Sequence, residues 1–249
     1  MTFATFEDAL ALAGVREESL SPEVAAALDR DGFVILRGAI PQAWLEPLRE
    51  RFEALYLPSD KWPMPRAFDT RHADLDNDEV TRRVCLLPAV LAAMHSAFGQ
   101  RFFLANVQGR DPNFDGGYQA LHRDWPDSGA VVEMMVALAF LDDFSAANGA
   151  TRLISGTHRE PGDMSDYAVK GETDPRLLTT EGKAGDILVF HGRLVHGGSR
   201  NISGAARRNL QICYETQTKE TQTKRAQRPE FRDLSKVTVL ERYLFGAEA

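Results

Sequence analysis

What most restricts the fold of this chain is a change of hydrophobic period partway along it. Up to about residue 98 the apolar residues fall mainly at helical spacing; beyond it they gather in short runs between turn-forming residues. Residues 5–16 are amphipathic, with Phe6, Leu10 and Ala13 on one side. Ser21-Pro22 reads as a helix start that runs to about Arg30, a hydroxyl cap followed by a proline whose missing N–H costs nothing there. Pro41 opens a further helix carrying Trp44, Leu45, Leu48, Phe52 and Leu55, and Val84–Phe98 reads as another. Only Phe33–Leu36 breaks this first part as a short buried strand. The second part supplies strands at Arg101–Val107, Gln119–Trp125, Val131–Leu141, Thr151–Ile154, Ile187–Phe190, Leu194–His196 and Arg207–Glu215, with one last helix near Val237–Leu244. Loops are expected at Asp111–Gly117, at Arg159–Asp174 and at Pro58–Asp78, the last as a lid. Regular βα alternation is missing and no glycine-rich phosphate loop follows a strand, which argues against a doubly wound nucleotide-binding fold. The expectation is a single domain over 1–249, mainly β, a sandwich or barrel under a helical cover of about 1–57.

Within the strand-like stretch Gln119–Trp125, His122 and Asp124 stand two positions apart. Side chains at i and i+2 leave a strand on one face, so an imidazole and a carboxylate can aim at one point. A third donor is found in the apolar run that begins at Asp186, at His196, 74 positions after His122. Two histidines and one carboxylate form the facial triad of non-haem Fe(II) oxygenases, which leaves coordination positions open. His191 is the rival for the third place. It lies five residues before His196 and would face the opposite way on an unbroken strand, but Gly192 interrupts the run and parity does not decide. His196 is preferred for the small residues and the arginine that follow it.

O₂ activation at such a site needs an electron source, and 2-oxoglutarate is the usual one. Its distal carboxylate needs a partner inside the protein. Arg207 lies 11 positions after His196. A turn at Asn201–Gly204 would return the next strand beside His196 and place that planar, permanently charged fork near the metal. Arg208 would point to the other face.

The last long segments carry a resemblance. DRDGFVILRGAIP, LHRDW, FLDDFSAANGATRLISGTHRE and KAGDILVFHGRLVHGGSRNISGAARRNLQICYE together resemble the phytanoyl-CoA dioxygenase family over about residues 29–215. The resemblance implies a double-stranded β-helix, a jelly-roll core of the cupin type. It also implies Fe(II), 2-oxoglutarate and O₂ as cofactors, with His122, Asp124 and His196 as iron ligands and Arg207 on the cosubstrate. Asn106 and Gln108 would add polar contacts to it. One departure is Gly197-Gly198-Ser199 after His196, where relatives often have Gly-Ser, which puts a hydroxyl contact there in question. Asp124 itself disfavours a halogenase, which gives up that carboxylate. The expected reaction is oxidation, as hydroxylation, of an unactivated C–H bond of a small, biosynthetic metabolite, releasing succinate and CO₂. Trp62, Met64, Arg66, Trp125 and Met134 are candidates for the substrate pocket, with Arg66 and Arg71 suited to an anionic substrate. The competing classes are a metal-dependent cupin isomerase or hydrolase, which needs no arginine at 207, and a non-catalytic β-barrel binding module.

Composition narrows the partners. A net charge of −7 disfavours nucleic acid and anionic membranes. No stretch approaches the roughly 18 apolar residues of a membrane span. Cys85 and Cys213 read as free thiols in a reducing compartment, and a cytoplasmic protein is expected. The tandem ETQTK at 215–224 is read as a polar loop.

Overall fold

The computed structural model describes residues 3, 5–62, 67–75, 78–125, 131–161, 167, 171–216, 218 and 237–244. Helices dominate the first hundred residues. Helix α1 (Phe6–Leu12) is opened by a Thr5–Asp8 capping box, and α2 (Pro22–Asp31) by the Ser21 hydroxyl with Pro22 in its first turn. Gly32 then ends α2 in the left-handed conformation at φ 80, which a residue without Cβ adopts freely. Helix α3 is Gln42–Ala54.

Where one helix is expected over Val84–Phe98 there are two, α4 (Glu79–Cys85) and α5 (Pro88–Phe98). Pro88 is the cause. It excludes the helical conformation from Leu87, which sits extended at φ −57 and ψ 129, and itself opens α5. A last helix, α6, is Val239–Leu244.

The strands are β1 (Phe33–Leu36), β2 (Tyr56–Leu57), β3 (Thr70–Asp74), β4 (Phe102–Pro112), β5 (Met134–Phe140), β6 (Thr151–Ile154), β7 (Leu177–Thr179), β8 (Ile187–His191), β9 (His196–Gly198) and β10 (Asn209–Thr216). A larger antiparallel sheet runs β1-β8-β5-β10-β4-β3-β2, and a smaller one β7-β6-β9.

Strand β5 explains how the layers stack. Met135, Ala137 and Ala139 join an apolar cluster with the helices, while Met134, Val136, Leu138 and Phe140 join a second cluster with Ala150, Leu153 and Leu194 from the side of the smaller sheet. A strand buried on both faces reads as an unbroken apolar run, not an alternating one. The larger sheet is thus sandwiched between helices outside and the smaller sheet inside.

Several expectations change here. The Pro58–Asp78 stretch contributes strand β3, which lies between β4 and β2, so it is not simply a lid; residues 63–66 and 76–77 lie outside the described ones. Strand β4 runs on to Pro112 because β3 pairs with its far half. Gln119–Trp125 is not a strand: among its residues only His122 pairs, in an isolated bridge with His196. Arg207 and Arg208 precede β10, held out of the ladder by side-chain acceptors. Cys85 and Cys213 are free and buried. The second ETQTK copy lies outside the described residues. No described helix is long and apolar enough to cross a membrane.

Candidate metal centre

The His122–His196 bridge builds the centre. Each residue's N–H donates to the other's carbonyl, at 2.8 and 2.9 Å, which locks the two backbones side by side. The rings stand 4.4 Å apart between centroids. Asp124 follows two residues later, with Oδ1 3.5 Å from His122 Nε2 and Oδ2 3.5 Å from His196 Nε2. One donor atom from each of the three lies within 4.8 Å of the others. Donors about 2.1 Å from a shared cation stand roughly 3–4 Å from one another, so the set is sized for a metal ion.

The ring nitrogens are oriented for that task. His122 Nδ1 is 2.8 Å from Ala120 O and His196 Nδ1 is 2.9 Å from Leu194 O. A carbonyl only accepts, so each Nδ1 carries the proton and each Nε2 turns its lone pair toward Asp124. Burial holds His196 below the ordinary imidazole pKa, which keeps it neutral. The Asp124 carboxylate facing its ring raises the pKa of His122. For Asp124, burial works to raise the pKa, but His196, His122 and Arg110 outweigh it and bring it down to about 2. The carboxylate is therefore ionised, and its Oδ2 is buried without a hydrogen-bond partner among the described residues.

The Gly156-Thr157-His158 segment clamps both stretches that carry these donors. Thr157 Oγ1 donates to Ile154 O and accepts from Val195 N–H, at 2.8 and 2.9 Å, fixing the residue before His196. Arg123, between His122 and Asp124, donates to Thr157 O at 2.9 Å and Glu160 O at 3.1 Å. The glycines after His196 have a steric cause. A Cβ on Gly197 would lie 2.6 Å from Gln119 O, and one on Gly198 2.4 Å from Gly117 O.

From His196 a cavity leads to Arg207 and is also lined by Arg110, Gln119, Thr151, Asn209 and Gln211. No carboxylate is among its lining residues. Arg207 is 7% exposed, its guanidinium lies 4.8 Å over the Phe144 ring, and its Nε is buried with no hydrogen-bond partner among the described residues. Its backbone N–H donates to Asp111 Oδ1. Burial, then repulsion from Arg110, pulls its pKa down to about 10, with Asp111 opposing; it remains a cation at neutral pH. Arg208 faces the other way and is taken by Asp142 and Glu53.

Asn106 and Gln108 lie opposite Cys213 and Gln211 in the ladder, on the inner face of β4. Each has a buried side-chain oxygen without a hydrogen bond among the described residues, and neither lines the cavity. His191 is elsewhere: its Nδ1 accepts from Arg193 N–H and its ring neighbours His158. Trp125 is buried between the sheets with Met134 and donates to Glu133 Oε2. Trp62 donates to Leu57 O, beside His72. Met64 and Arg66 lie outside the described residues, and Arg71 is engaged by Glu53 and Asp111.

Arg110, Gln119, Thr151, Asn209 and Gln211 were not singled out in the sequence. The signal for the last two was present: Asn209 and Gln211 alternate with Leu210 and Ile212, and polar residues on the inner face of a buried strand mark a lined cavity.

The family model described as phytanoyl-CoA dioxygenase (PhyH) matches residues 28–209. Among curated proteins, the chain is similar to the Fe(II)/2-oxoglutarate-dependent dioxygenase nvfF of Aspergillus novofumigatus, at 42% identity over 90 residues, 33% of this chain and 28% of that protein. It is also similar to dioxygenase cdmA of Talaromyces verruculosus, at 26% identity over 240 residues, 83% of this chain and 76% of that protein. The chain thus spans under a third of nvfF and 35% of a second relative, dioxygenase FrzG of a Cladobotryum species. Among solved structures it is similar to HygX from Streptomyces hygroscopicus with nickel, 2-oxoglutarate and hygromycin B bound, at TM-score 0.65 and 20% identity over 79% of this chain and 87% of that one. The carbocyclase SnoK from nogalamycin biosynthesis gives TM-score 0.67 and 17% identity, over 80% and 85%. The shared fold is the double-stranded β-helix.

Proposed function

The chain belongs to the phytanoyl-CoA dioxygenase family, and on that premise we propose that it is an Fe(II)/2-oxoglutarate-dependent dioxygenase whose iron is held by His122, Asp124 and His196. One observation carries the reading: two imidazole Nε2 atoms and an ionised carboxylate converge, and one of those imidazoles, His196, lines a cavity that also holds the buried Arg207. A cupin isomerase or hydrolase has use for the first feature and none for the second.

Bound iron and 2-oxoglutarate, with O₂, supply the oxidation of a C–H bond with release of succinate and CO₂. The protein's part is positional. Ala120 O and Leu194 O fix the tautomers of the two histidines. Arg207 takes the distal carboxylate of 2-oxoglutarate as a bidentate fork, with Thr151 beside it. Leu138 and Phe190 form the apolar part of the cavity wall. His122 is the most exposed of the three, with its side chain 35% exposed against 8% for His196. The substrate therefore approaches from the His122 side.

The substrate is a small metabolite, and hydroxylation is the reaction we assign. Support for this size class comes from HygX, seen with hygromycin B, and from SnoK in nogalamycin biosynthesis. The epimerase SnoN, also a structural neighbour, shows that the same fold serves other outcomes. The free cysteines fit a cytoplasmic location.

The test is anaerobic addition of Fe(II) and 2-oxoglutarate, followed by succinate analysis in air. A weak visible charge-transfer band and succinate release are expected, both abolished by His122→Ala. Intact protein that binds Fe(II) yet gives neither would exclude the assignment.

A further inference from the structure

We propose that Arg152 is a positioning residue for the metal centre: it reaches across β9 and fixes the stretch of backbone that aims the His122 ring. The inference rests on the reading of His122, Asp124 and His196 given above.

His122 needs such support more than His196 does. His196 is buried in β9, which pairs with β6, and its ring lies 4.7 Å from that of Phe190. His122 is only partly buried, on a stretch whose one ladder bridge is the pairing with His196. Its Nδ1 is held by Ala120 O at 2.8 Å. Whatever fixes the Gln119-Ala120 backbone therefore sets the direction of its Nε2.

Arg152 does this from the strand beyond. It stands on β6 opposite Gly197 of β9, and the Gln119 stretch runs along the other side of β9. Directly opposite residues share a face, so the Arg152 side chain passes over Gly197, where no side chain stands in its way. Its Nη2 donates to Gln119 O at 2.9 Å and to Gly198 O at 3.5 Å. Gly198 O also accepts from Gln119 N–H at 3.1 Å. One guanidinium nitrogen thus sits where the two backbones meet and draws both carbonyls to it. A Cβ on Gly197 would lie 2.6 Å from Gln119 O, the atom that Arg152 holds.

The guanidinium is itself fixed. Nη1 donates to Glu172 Oε2 at 2.5 Å, Glu172 Oε1 accepts from the Tyr118 hydroxyl at 3.4 Å, and the Tyr118 ring lies 5.1 Å from Arg152 Cζ. Tyr118 precedes Gln119, so the stretch is gripped by a side chain and again at the next carbonyl. The Arg152 side chain is 13% exposed, which spares these charged hydrogen bonds much of the screening that weakens surface pairs. A planar fork serves a carboxylate with one amino group and carbonyls with the other; a lysine has a single nitrogen for both.

The experiment uses protein carrying isotope-labelled histidine and loaded with Zn(II). Nuclear magnetic resonance reads how fast the Nδ1 protons of His122 and His196 exchange with water, the two being told apart by their contacts with Ala120 and Leu194. Arg152→Met keeps the stem and removes the fork. It should speed exchange at His122 about tenfold or more and leave His196 unchanged, while Zn(II) affinity falls about 10- to 100-fold, as expected for a lost outer support. Arg152→Lys should recover part of both. Melting temperature establishes that each variant is folded. If Arg152→Met is not, Glu172→Gln decides: it frees one side of the guanidinium and should speed the His122 proton alone, by a smaller factor.

The inference is overturned if the folded variants leave exchange at His122 and Zn(II) affinity within twofold of wild type. It is overturned too if both histidines respond alike, which would make Arg152 a general brace of the smaller sheet. Wild-type protein that takes up no Zn(II) would refute the metal centre itself, and this inference with it.

Discussion

Thr157 shows how a hydroxyl outside the three candidate metal donors can set their geometry. It ties Ile154 to Val195 through one oxygen, and its carbonyl takes Arg123. Thr157→Val keeps the shape and strands the buried Val195 N–H, at a cost of about 1–3 kcal/mol. Metal affinity should fall about tenfold, the usual effect of losing an outer support, and Thr157→Ser should restore it. Metal titration with a fluorescent competitor checks this; unchanged affinity in the folded valine variant would leave Thr157 with a purely structural role.

His191 yields a pH prediction. Burial first, then His158, Arg193 and Arg123, push its pKa to about 3. Unfolded, it returns to about 6.5. Between these values the unfolded chain binds more protons, so stability is complete above about pH 6.5 and falls as the pH drops toward 3, by up to about 1.4 kcal/mol per pH unit. His191→Asn keeps an acceptor for Arg193 N–H and should flatten that acid limb in urea denaturation. These two residues also mark what was legible. The choice between His191 and His196 could not be made from parity, because Gly192 breaks the strand; only the backbone bridge to His122 puts His196 beside Asp124.

At the scale of elements, the apolar strands were legible because β5 and β8 are buried on both faces and read as continuous hydrophobic runs. Strand β3 was not, since Thr70–Asp74 is polar and gains its order from pairing with β4, a long-range partner that local composition does not announce. The Gln119–Trp125 stretch was misread for the opposite reason. Its spacing suits a strand, but the chain meets β9 across two glycines, and the one ladder bridge it forms there is at His122. Those glycines make a sharp test. Gly198→Ala drives a Cβ against the Gly117 carbonyl, where backbone, not a flexible side chain, must yield. The expected loss is about 1–3 kcal/mol by denaturant midpoint, whereas Ser199→Ala next to it should change little. Equal effects at both positions would mean that the 117–120 segment gives way easily and does not brace His196.

At the scale of the whole molecule, the proposed cosubstrate cavity spans both sheets. His196 belongs to the smaller sheet, and Arg207 leads into β10 of the larger one. Metal alone would be held by β9 and the segment bridged to it; 2-oxoglutarate would tie that unit to the larger sheet through Arg207. Anything bound only by the folded state adds RT ln(1 + [L]/Kd) of stability, about 2.7 kcal/mol at a hundredfold excess over Kd, and the protection appears where the ligand joins elements that otherwise open separately. Hydrogen exchange on Zn(II)-loaded protein should therefore slow first around His122 and β9. Adding 2-oxoglutarate should extend the protection to the start of β10 and the far end of β4. Arg207→Gln should keep the first effect and lose the second. If 2-oxoglutarate protected only the metal-bearing segment in wild type, its distal carboxylate would not reach Arg207 and the cavity would not be what joins the two sheets.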